Sequence, residues 1–443
     1  MKVGIIGVGY VGLVQGVVLA NFGLDVICMD KDKEKISKLK DGIIPIYEEG
    51  LSELLGKVSS KINFTTNIKE VVEKSEVIFI AVGTPAADDG KADLTYVLDV
   101  AHNIGMYIND YKVIVNKSTV PVGTAKMVRK IIQKQLILRQ VNYEFDIVSN
   151  PEFLREGKAI KDCQLPNRIV IGTESDKARE IMKEVYRVLY LKETPFVFTN
   201  LETAELIKYA SNSLLAVKIS FINEMALLAE KLGANIQEVA KAMGMDGRIS
   251  PKFLNAGPGY GGSCFPKDTK AIVQIAEENG EALYVVEAAI KANEKQKMKM
   301  VEKIIKTMNI EDGMNNKKKI GILGLSFKPE TDDMREAPSL TIIRELVKKG
   351  IKIQAFCPQG MREARWRLSD INHLVDYCTS EYDVAEQADA LVIMTEWNQF
   401  RGMDLKKLRK KMNKKAYLFD LRNIYVKNNE VRELFCYFPI GMK

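Results

Sequence analysis

The chain has 443 residues, of which 46% are hydrophobic and 28% charged, and its formal net charge is +7 at pH 7. This length exceeds what one hydrophobic core normally serves, so we expect a globular protein of two or three domains. The charge excess is small and no basic stripe carries interleaved aromatic residues, which argues against nucleic acid as a partner.

The cysteines and the first apolar run indicate the compartment. Val3–Val8 is too short and too rich in glycine for a signal peptide or a membrane span, so no membrane partner is expected. None of the 6 cysteines forms a CxxC pair, so the sequence predicts neither a metal site nor a disulfide framework. A reducing cytoplasm is the expected location.

The chain begins with a strand, a glycine turn, a helix and a second strand. Val3–Ile6 is apolar, Gly7–Gly12 has the spacing GxGxxG, Leu13–Asn21 has a helical pattern, and Asp25–Met29 is again apolar. In this context the glycine spacing is typical of a dinucleotide-binding fold.

Each glycine of this turn has a separate physical task. Gly7 permits the tight turn, Gly9 lets a pyrophosphate approach the helix N-terminus, and Gly12 lets helix and strand pack closely. Asp30 follows the second strand, where a carboxylate accepts the ribose hydroxyls and repels a 2′-phosphate. The sequence therefore predicts NAD rather than NADP.

Further apolar runs alternate with helical stretches and predict an α/β unit with a mainly parallel sheet. The predicted strands are Ile62–Thr65, Val77–Val82, Val113–Val115, Phe145–Val148 and Ile169–Ile171. Ligands bind at the carboxyl ends of such strands, and two of these ends carry hydroxyl groups, in Gly83–Pro85 and Lys117–Thr124.

The segment Asn150–Gly157 contains two carboxylates after a predicted strand. Asn150 and Pro151 are a good N-cap and first-turn pair, so we expect a helical turn here. Such a turn places Glu152 and Glu156 on one side, where they share a proton, position water, or form a solvated face.

A long helix is predicted over Thr203–Leu232, because no proline or glycine interrupts it. Lys208 and Asn212 are four residues apart and lie on one side of it. A helix of this length commonly joins two domains and contributes a dimer face.

The stretch Gly257–Asp268 combines clustered glycines with a cysteine. Glycine lets backbone N–H groups approach a polar ligand closely. Lys267 and Asp268 follow Cys264 by three and four residues, and a thiol beside an ammonium group is the usual setting for a reactive thiolate. A surface loop with an inert cysteine is the alternative.

A second α/β unit follows the polar gap Glu311–Asn316. Lys319–Leu325 predicts a strand with a degenerate glycine turn, and Phe327–Arg335 follows it. Further strands are predicted over Lys352–Phe356, Ala390–Met394 and Ala416–Phe419. We expect three domains, 1–200, 201–310 and 317–443, with two anionic ligands bound by the outer two.

These motifs together resemble the nucleotide-sugar 6-dehydrogenases, the UDP-glucose/GDP-mannose dehydrogenase family, over almost the whole chain. The resemblance is greatest to members that oxidise UDP-glucose to UDP-glucuronate. It implies an α/β fold with two Rossmann-like doubly wound domains, joined by a long central helix and a helical dimerisation region.

The family oxidises a primary alcohol to a carboxylate with two NAD⁺, and the resemblance implies the role of each catalytic residue. Cys264 is the nucleophile that captures the intermediate aldehyde, so that a thioester forms and is hydrolysed. Lys208 and Asn212 hold the developing oxyanion. Asp268 positions Lys208 or water. The residues that direct water or handle protons are Glu152, Glu156 and Thr119.

The same resemblance implies the ligand contacts. One group of residues falls where the family binds NAD: Gly7, Gly9, Val11, Gly12, Asp30, Lys35, Thr84, Thr119, Glu156, Lys267 and Arg335. A second group falls where it binds the UDP-sugar: Glu152, Phe153, Leu154, Arg155, Glu156, Lys208, Asn212, Phe253, Leu254, Asn255, Ala256, Gly257, Gly261, Lys328 and Arg422. Arg248 matches an arginine that reaches into the neighbouring subunit's sugar site, which implies a homodimer.

Two departures from the family pattern lie in the last third of the chain. Cys357 stands where the family usually has aspartate, and Leu421 stands where it often has glycine. Leucine there is expected to shift the loop that carries Arg422.

Three other functions stay open. The same chemistry on a UDP-N-acetylhexosamine or GDP-mannose is the nearest alternative. An inactive NAD- and nucleotide-sugar-binding regulatory protein would not need Cys264, Lys208, Asn212 and Asp268 intact. A two-electron hydroxyacid dehydrogenase would not need Cys264.

Overall fold

The computed structural model describes residues 1–85, 90–310 and 318–443. The predicted polar gap Glu311–Asn316, and residue 317 at the predicted start of the third domain, lie outside these residues. The described chain divides into two compact units, residues 1–211 with 274–280, and residues 212–273 with 281–443. The predicted division into three domains stays a prediction.

The first unit is built on a sheet in the order β3-β2-β1-β4-β5-β6-β7-β8. Its strands are β1 Lys2–Ile6, β2 Asp25–Met29, β3 Ile62–Thr65, β4 Val77–Ile80, β5 Lys112–Asn116, β6 Phe145–Ser149, β7 Ile169–Gly172 and β8 Phe196–Thr199. All described pairs are parallel except β6 with β7. The strand order reverses at β1 and β4, where such sheets bind ligands.

Helices connect these strands, as parallel pairing requires. They are α1 Tyr10–Asn21, α2 Lys33–Lys40, α3 Leu51–Lys57, α4 Ile68–Lys74, α5 Thr95–Tyr107, α6 Thr124–Leu138, α7 Ala159–Gln164, α8 Asp176–Val185 and α9 Arg187–Leu191. Two apolar clusters of buried side chains occupy this unit, one containing Leu13 and Phe79 and the other containing Ile78 and Ile114. The central strands are buried on both faces, which explains their continuous apolar sequence.

Four long helices follow: α10 Leu201–Leu232, α11 Ile236–Gly244, α12 Phe265–Glu278 and α13 Tyr284–Met308. The boundary between the two units falls within α10, after Ser211. By length and composition alone, α10 passes the test for a helix able to cross a membrane, as core helices of water-soluble proteins also do.

The second unit contains a parallel sheet in the order β11-β10-β9-β12-β13-β14. Its strands are β9 Lys319–Leu323, β10 Lys352–Phe356, β11 Val375–Tyr377, β12 Ala390–Ile393, β13 Tyr417–Asp420 and β14 Cys436–Pro439. Its later helices are α14 Pro338–Lys348, α15 Met361–Arg367, α16 Asn398–Arg401, α17 Leu405–Lys411 and α18 Glu430–Leu434, with 3-10 turns at Asn372–Leu374 and Asp383–Ala385. The predicted α/β class, with a mainly parallel first sheet, a second α/β unit and a long central helix, is confirmed.

Three strands were not predicted: β8, β11 and β14. Each is short and lies at the edge of its sheet. Edge strands need less apolar sequence than central ones, so their signal is weak.

Candidate active site

The glycine turn after β1 has the geometry that a pyrophosphate needs. Gly7 has φ +98°, and a Cβ there would lie 2.6 Å from the carbonyl oxygen of Ala81. A Cβ at Gly12 would lie 1.9 Å from the carbonyl oxygen of Gly7. A Cβ at Gly9 would meet no described atom within 4 Å, so the space over the start of α1 is open to a ligand. Val11 is half-buried in the first turn of α1.

Asp30 stands directly after β2, beside this turn. Its carboxylate accepts hydrogen bonds from the backbone N–H of Val8 at 3.0 Å, the backbone N–H of Asp32 at 3.1 Å and Nζ of Lys35 at 3.0 Å. Burial alone would raise the pKa of Asp30, but these donors outweigh it and leave the pKa below its usual range. An ionised carboxylate beside the turn suits the ribose of NAD, so the residues present fit an NAD molecule, and the ribose contact of Asp30 stays a prediction. Lys35, predicted to contact the cofactor, pairs with Asp30.

The two hydroxyl-bearing strand ends lie together, as the topology predicts. Oγ1 of Thr84 donates to the carbonyl oxygen of Thr119 at 2.8 Å, and Oγ of Ser118 donates to the carbonyl oxygen of Val82 at 2.7 Å. These bonds fix the segment after β5 to the segment after β4.

A buried ion pair joins Glu152 to the first turns of α10. Nζ of Lys208 lies 2.8 Å from Oε1 of Glu152, and the two side chains are 4% and 7% exposed. Burial raises the pKa of Glu152, but the attraction of Lys208 outweighs burial and the pKa stays below its usual range. The Phe153 ring also lies 5.4 Å from Nζ of Lys208 and 3.4 Å from the guanidinium of Arg168. Lys208 and Glu152, which were predicted separately, therefore form one buried ion pair.

The predicted helical turn at Asn150–Gly157 is wrong, since α7 begins only at Ala159. Side chains hold the segment in another shape, because Glu152 accepts the backbone N–H of Leu154 at 2.6 Å. The backbone N–H of Arg155 donates to Asp162 at 2.9 Å, and its guanidinium pairs with the same carboxylate. Glu152 and Glu156 therefore do not share a helical turn.

Sequence reasoning did not assign a role to two buried side chains behind Glu152. Oδ1 of Asn150 accepts hydrogen bonds from Nζ of Lys117 at 3.1 Å and from the hydroxyl of Tyr186 at 2.6 Å. Burial lowers the pKa of Lys117 to about 8. The available signal was position, since Lys117 and Asn150 each follow directly after a strand.

In the second unit, Asp268 connects the predicted oxyanion residue to the cysteine loop. Its carboxylate accepts Nδ2 of Asn212 at 2.6 Å and Nζ of Lys267 at 2.5 Å, and its side chain is 1% exposed. Its backbone N–H donates to the carbonyl oxygen of Cys264 at 2.8 Å. Cys264 is half-buried, and its Sγ lies 3.5 Å from Oγ of Ser263. Four of the predicted residues are thus adjacent.

The glycines of the cysteine loop allow it to pack tightly against the segment that follows β9. The backbone N–H of Gly262, at φ +86°, donates to the carbonyl oxygen of Arg335 at 2.7 Å. A Cβ at Gly261 would lie 2.4 Å from the carbonyl oxygen of Glu336. The Arg335 guanidinium itself pairs with Asp333 at 2.9 Å.

The Arg422 side chain lies beside two other segments that are predicted to bind the substrate, those that contain Lys328 and Gly257. Its guanidinium donates to the carbonyl oxygens of Met394 at 2.9 Å and Phe327 at 3.2 Å, next to Lys328. A Cβ at Gly257 would lie 3.0 Å from Nη1 of Arg422. Leu421 is fully buried, so the leucine that departs from the family pattern packs in the core while Arg422 stays anchored.

The other predicted substrate residues lie on the loop before the cysteine. Phe253 has φ +64°, and its ring contacts Phe265 edge-on at 6.1 Å. Leu254 and Ala256 are buried, and Asn255 between them is exposed. The Arg248 side chain is 89% exposed and pairs with Asp246 at 2.6 Å.

Three family models match the chain in order. They are the NAD binding domain (residues 1–190), the central domain (202–295) and the UDP binding domain (321–427) of the UDP-glucose/GDP-mannose dehydrogenase family. The first range contains β1 to β7 of the first sheet, and the third contains most of the second sheet.

Relatives match over the full length. The chain is 49% identical to a UDP-glucose 6-dehydrogenase of Rhizobium meliloti, covering 100% of this chain and 99% of that protein. It is 45% identical to a UDP-glucose 6-dehydrogenase of Bacillus subtilis, covering 99% and 93%.

Solved structures agree with these relatives. A UDP-glucose dehydrogenase from Pyrobaculum islandicum superimposes with a TM-score of 0.90 at 34% identity, over 100% of this chain and 98% of that one. A UDP-D-ManNAc dehydrogenase from Pyrococcus horikoshii superimposes with a TM-score of 0.84 at 27% identity, over 100% and 99%. The chain therefore belongs to the UDP-glucose/GDP-mannose dehydrogenase family.

Proposed function

We propose that the chain is an NAD-dependent UDP-glucose 6-dehydrogenase that converts UDP-glucose to UDP-glucuronate by two successive oxidations. One observation carries this proposal: the full-length match, at 49% identity, to an enzyme of that name. The chain has the cysteine, lysine and asparagine that a four-electron oxidation needs, at Cys264, Lys208 and Asn212.

NAD at the glycine turn would supply the hydride acceptor for each oxidation. The turn at Gly7–Gly12 would hold its pyrophosphate, and Asp30 would hold its ribose. Because Asp30 is ionised and beside the turn, a 2′-phosphate would be repelled there.

The Cys264 thiolate makes the second oxidation possible. The first oxidation removes a hydride and a proton from the C6 alcohol and leaves an aldehyde, which is a poor hydride donor. Addition of the Cys264 thiolate forms a C6–Sγ bond and a thiohemiacetal, whose C6 gives up the second hydride to become a thioester. Water then attacks C6, the C6–Sγ bond breaks, and the carboxylate and the thiol are released.

Charge that develops on the C6 oxygen needs preorganised donors. We assign Lys208 and Asn212 to this task, one helical turn apart on α10. Glu152 fixes the Lys208 ammonium by the pair at 2.8 Å, and Asp268 fixes the Asn212 amide by the hydrogen bond at 2.6 Å. Neither donor has to be reorganised as the oxyanion forms.

The UDP part of the substrate is assigned to the second unit, where Arg422 lies beside Gly257 and Phe327. UDP-glucose is favoured over N-acetyl sugars because the enzymes named for UDP-glucose are 34–49% identical, against 27% for the UDP-D-ManNAc dehydrogenase. The exposed guanidinium of Arg248 suits a contact with a second subunit. A cytoplasmic homodimer belongs to the same proposal.

The test counts NADH formed per sugar consumed, over a panel of UDP- and GDP-sugars, with the wild type, Cys264→Ser and Cys436→Ser. The wild type should form two NADH per UDP-glucose. Cys264→Ser should lose at least about 10³-fold in uronate formation while still binding both ligands in calorimetry. Cys436 is exposed on β14, so its variant is the matched control and should behave as wild type.

Each contrary result has a clear meaning. One NADH per sugar would mean simple alcohol oxidation, and no turnover with any sugar would mean a binding protein. Uronate formation at the wild-type rate by Cys264→Ser would refute covalent catalysis.

A further inference from the structure

The carboxylate of Glu205 lies on α10, one turn before Lys208, and no role has been assigned to it above. It is 4% exposed. It accepts the backbone N–H groups of Gly123 at 2.6 Å and Ala125 at 2.9 Å, and Oγ of Ser149 lies at 3.4 Å. Glu205 thus fastens the segment that runs from Thr119 into α6 onto the helix that carries the lysine.

A small cavity lies beside this carboxylate. It measures about 10 Å³, counted as the space open to the centre of a water molecule, and such a volume holds one water. Six of its eight lining residues have polar side chains: Asn116, Ser118, Thr119, Val120, Ser149, Pro151, Glu205 and Lys208 line it, of which Val120 and Pro151 are apolar. Several polar partners are what a water in a space of this size needs.

The side chain of Asn116 independently indicates a water molecule in this cavity. Its side chain is 2% exposed and lines the cavity, and neither Oδ1 nor Nδ2 has a hydrogen-bond partner among the described residues. An amide buried without hydrogen-bond partners destabilises the folded state. A water molecule in the cavity can donate to Oδ1 or accept from Nδ2, and can also donate to the Glu205 carboxylate.

We propose that Asn116 and Glu205 bind one water molecule in this cavity, and that the water-bridged pair positions the Thr119 segment against the helix that carries Lys208. The inference rests on the proposed reaction, for which Thr119 and Lys208 are assigned residues. Glu205 and Asn116 are positioning residues, because they act through the Thr119 segment and the lysine.

The electrostatic environment of Glu205 agrees with a carboxylate that also accepts a hydrogen bond from water. Burial raises the pKa of Glu205 to about 7, and nearby Glu202 raises it further, while the two backbone donors lower it. The Lys208 ammonium lines the same cavity but pairs with Glu152. The Glu205 carboxylate accepts from the backbone N–H groups of Gly123 and Ala125 and from the Ser149 hydroxyl.

The test is a double-mutant cycle with Asn116→Val, Glu205→Gln and the combined variant. Valine suits the end of β5 and removes both polar atoms. Each single variant should lower kcat at least about tenfold with KM for both ligands within about twofold, since neither residue is itself an assigned ligand contact. The combined variant should be slowed by clearly less than the product of the two single effects, because both changes act on the same water.

Two further measurements complete the design. The matched control is Ser75→Ala, which removes a buried hydroxyl that also lacks a partner among the described residues but lies outside the cavity lining, and it should leave kcat unchanged. A crystal structure at high resolution should show a water within hydrogen-bond distance of Asn116 and Glu205.

Three results would overturn the inference: a wild-type kcat for Asn116→Val, effects on kcat that multiply in the combined variant, or well-ordered density with no water in the cavity. If the wild-type protein forms no uronate, the proposed function fails instead, and the crystallographic arm still decides whether the water site exists.

Discussion

Three carboxylates in the first unit, the half-buried Asp30 and the buried Glu152 and Glu205, differ because their partners differ. Asp30 has a lysine and two backbone donors, and Glu152 has Lys208, so the pKa of each stays below its usual range. Glu205 accepts from two backbone N–H groups and from the Ser149 hydroxyl, and burial raises its pKa to about 7. The residue type alone therefore does not decide whether a carboxylate binds ribose, fixes a lysine or fastens a loop.

Among single residues, replacing Asp30 by alanine should lower the preference for NAD over NADP. The variant loses the acceptor for the ribose hydroxyls and the charge that repels a 2′-phosphate, so the preference for NAD over NADP should fall at least about tenfold in kcat/KM. The control is Asp25→Ala, at the other end of β2, where the carboxylate pairs with Lys61. Discrimination that is unchanged in Asp30→Ala would show that Asp30 is not the ribose ligand.

At the scale of the element, the cysteine loop is held by close backbone contact rather than by regular structure. Gly261 and Gly262 let it lie against the carbonyl oxygens of Arg335 and Glu336, while Asn223 and Gln296 bind the backbone of Gly257. The loop ends where α12 begins at Phe265. A cysteine on such a loop is fixed in position without being fully buried.

The corresponding prediction is that Gly261→Ala destabilises the second unit by about 1–3 kcal/mol, because the new methyl group overpacks against the Glu336 carbonyl. It should lower uronate formation as well. Gly56→Ala is the control: Gly56 lies in α3, a Cβ there meets no described atom within 4 Å, and alanine should stabilise that helix by up to about 1 kcal/mol. Equal stability of wild type and Gly261→Ala in urea unfolding would contradict this account.

The sequence predicted most elements because helix and central-strand patterns are strong and local. The glycine turn, α10 and the cysteine loop carry backbone signals that do not depend on distant residues. The segment Asn150–Gly157 was predicted wrongly because Asp162, Glu152 and Tyr10 bind its backbone, and such side-chain contacts are invisible in an isolated stretch.

The predictions for the site divide in the same way, between local sequence patterns and contacts of residues that are distant in the chain. The types and order of the catalytic residues were recognisable, and their assigned roles remain predictions. The Lys208–Glu152 pairing was not predictable, because it joins residues 56 positions apart. Glu205 begins the helical motif that also contains Lys208 and Asn212, but neither it nor Asn116 was given a role from the sequence, because their buried surroundings are formed by residues distant in the chain.

At the scale of the whole molecule, stability should depend on pH through Glu205. Its pKa is about 7 in the folded state against 4.5 for a glutamate in water, so folding favours the protonated form. This contribution is fully present below pH 4.5 and is lost as the pH rises through about 7, a change of about 3 kcal/mol at most.

The measurement is urea unfolding of the wild type and Glu205→Gln at pH 5 and pH 8. Glutamine does not titrate, so the wild type should lose about 1–3 kcal/mol more than the variant between the two values. Using the difference between the two proteins cancels the other titrating groups. Parallel stability curves would show that Glu205 does not titrate in this range.

The long helix α10 carries Glu205, Lys208 and Asn212 at intervals of three and four residues, so one ridge presents three polar groups in a set phase. One extra residue between Glu205 and Lys208 would rotate the lysine by about 100° and advance it by about 1.5 Å. The ammonium would then swing away from Glu152 even though every side chain was still present. The spacing of these three residues along α10 therefore matters as much as their identity. We expect length variation to be tolerated in surface loops but not between Glu205 and Asn212.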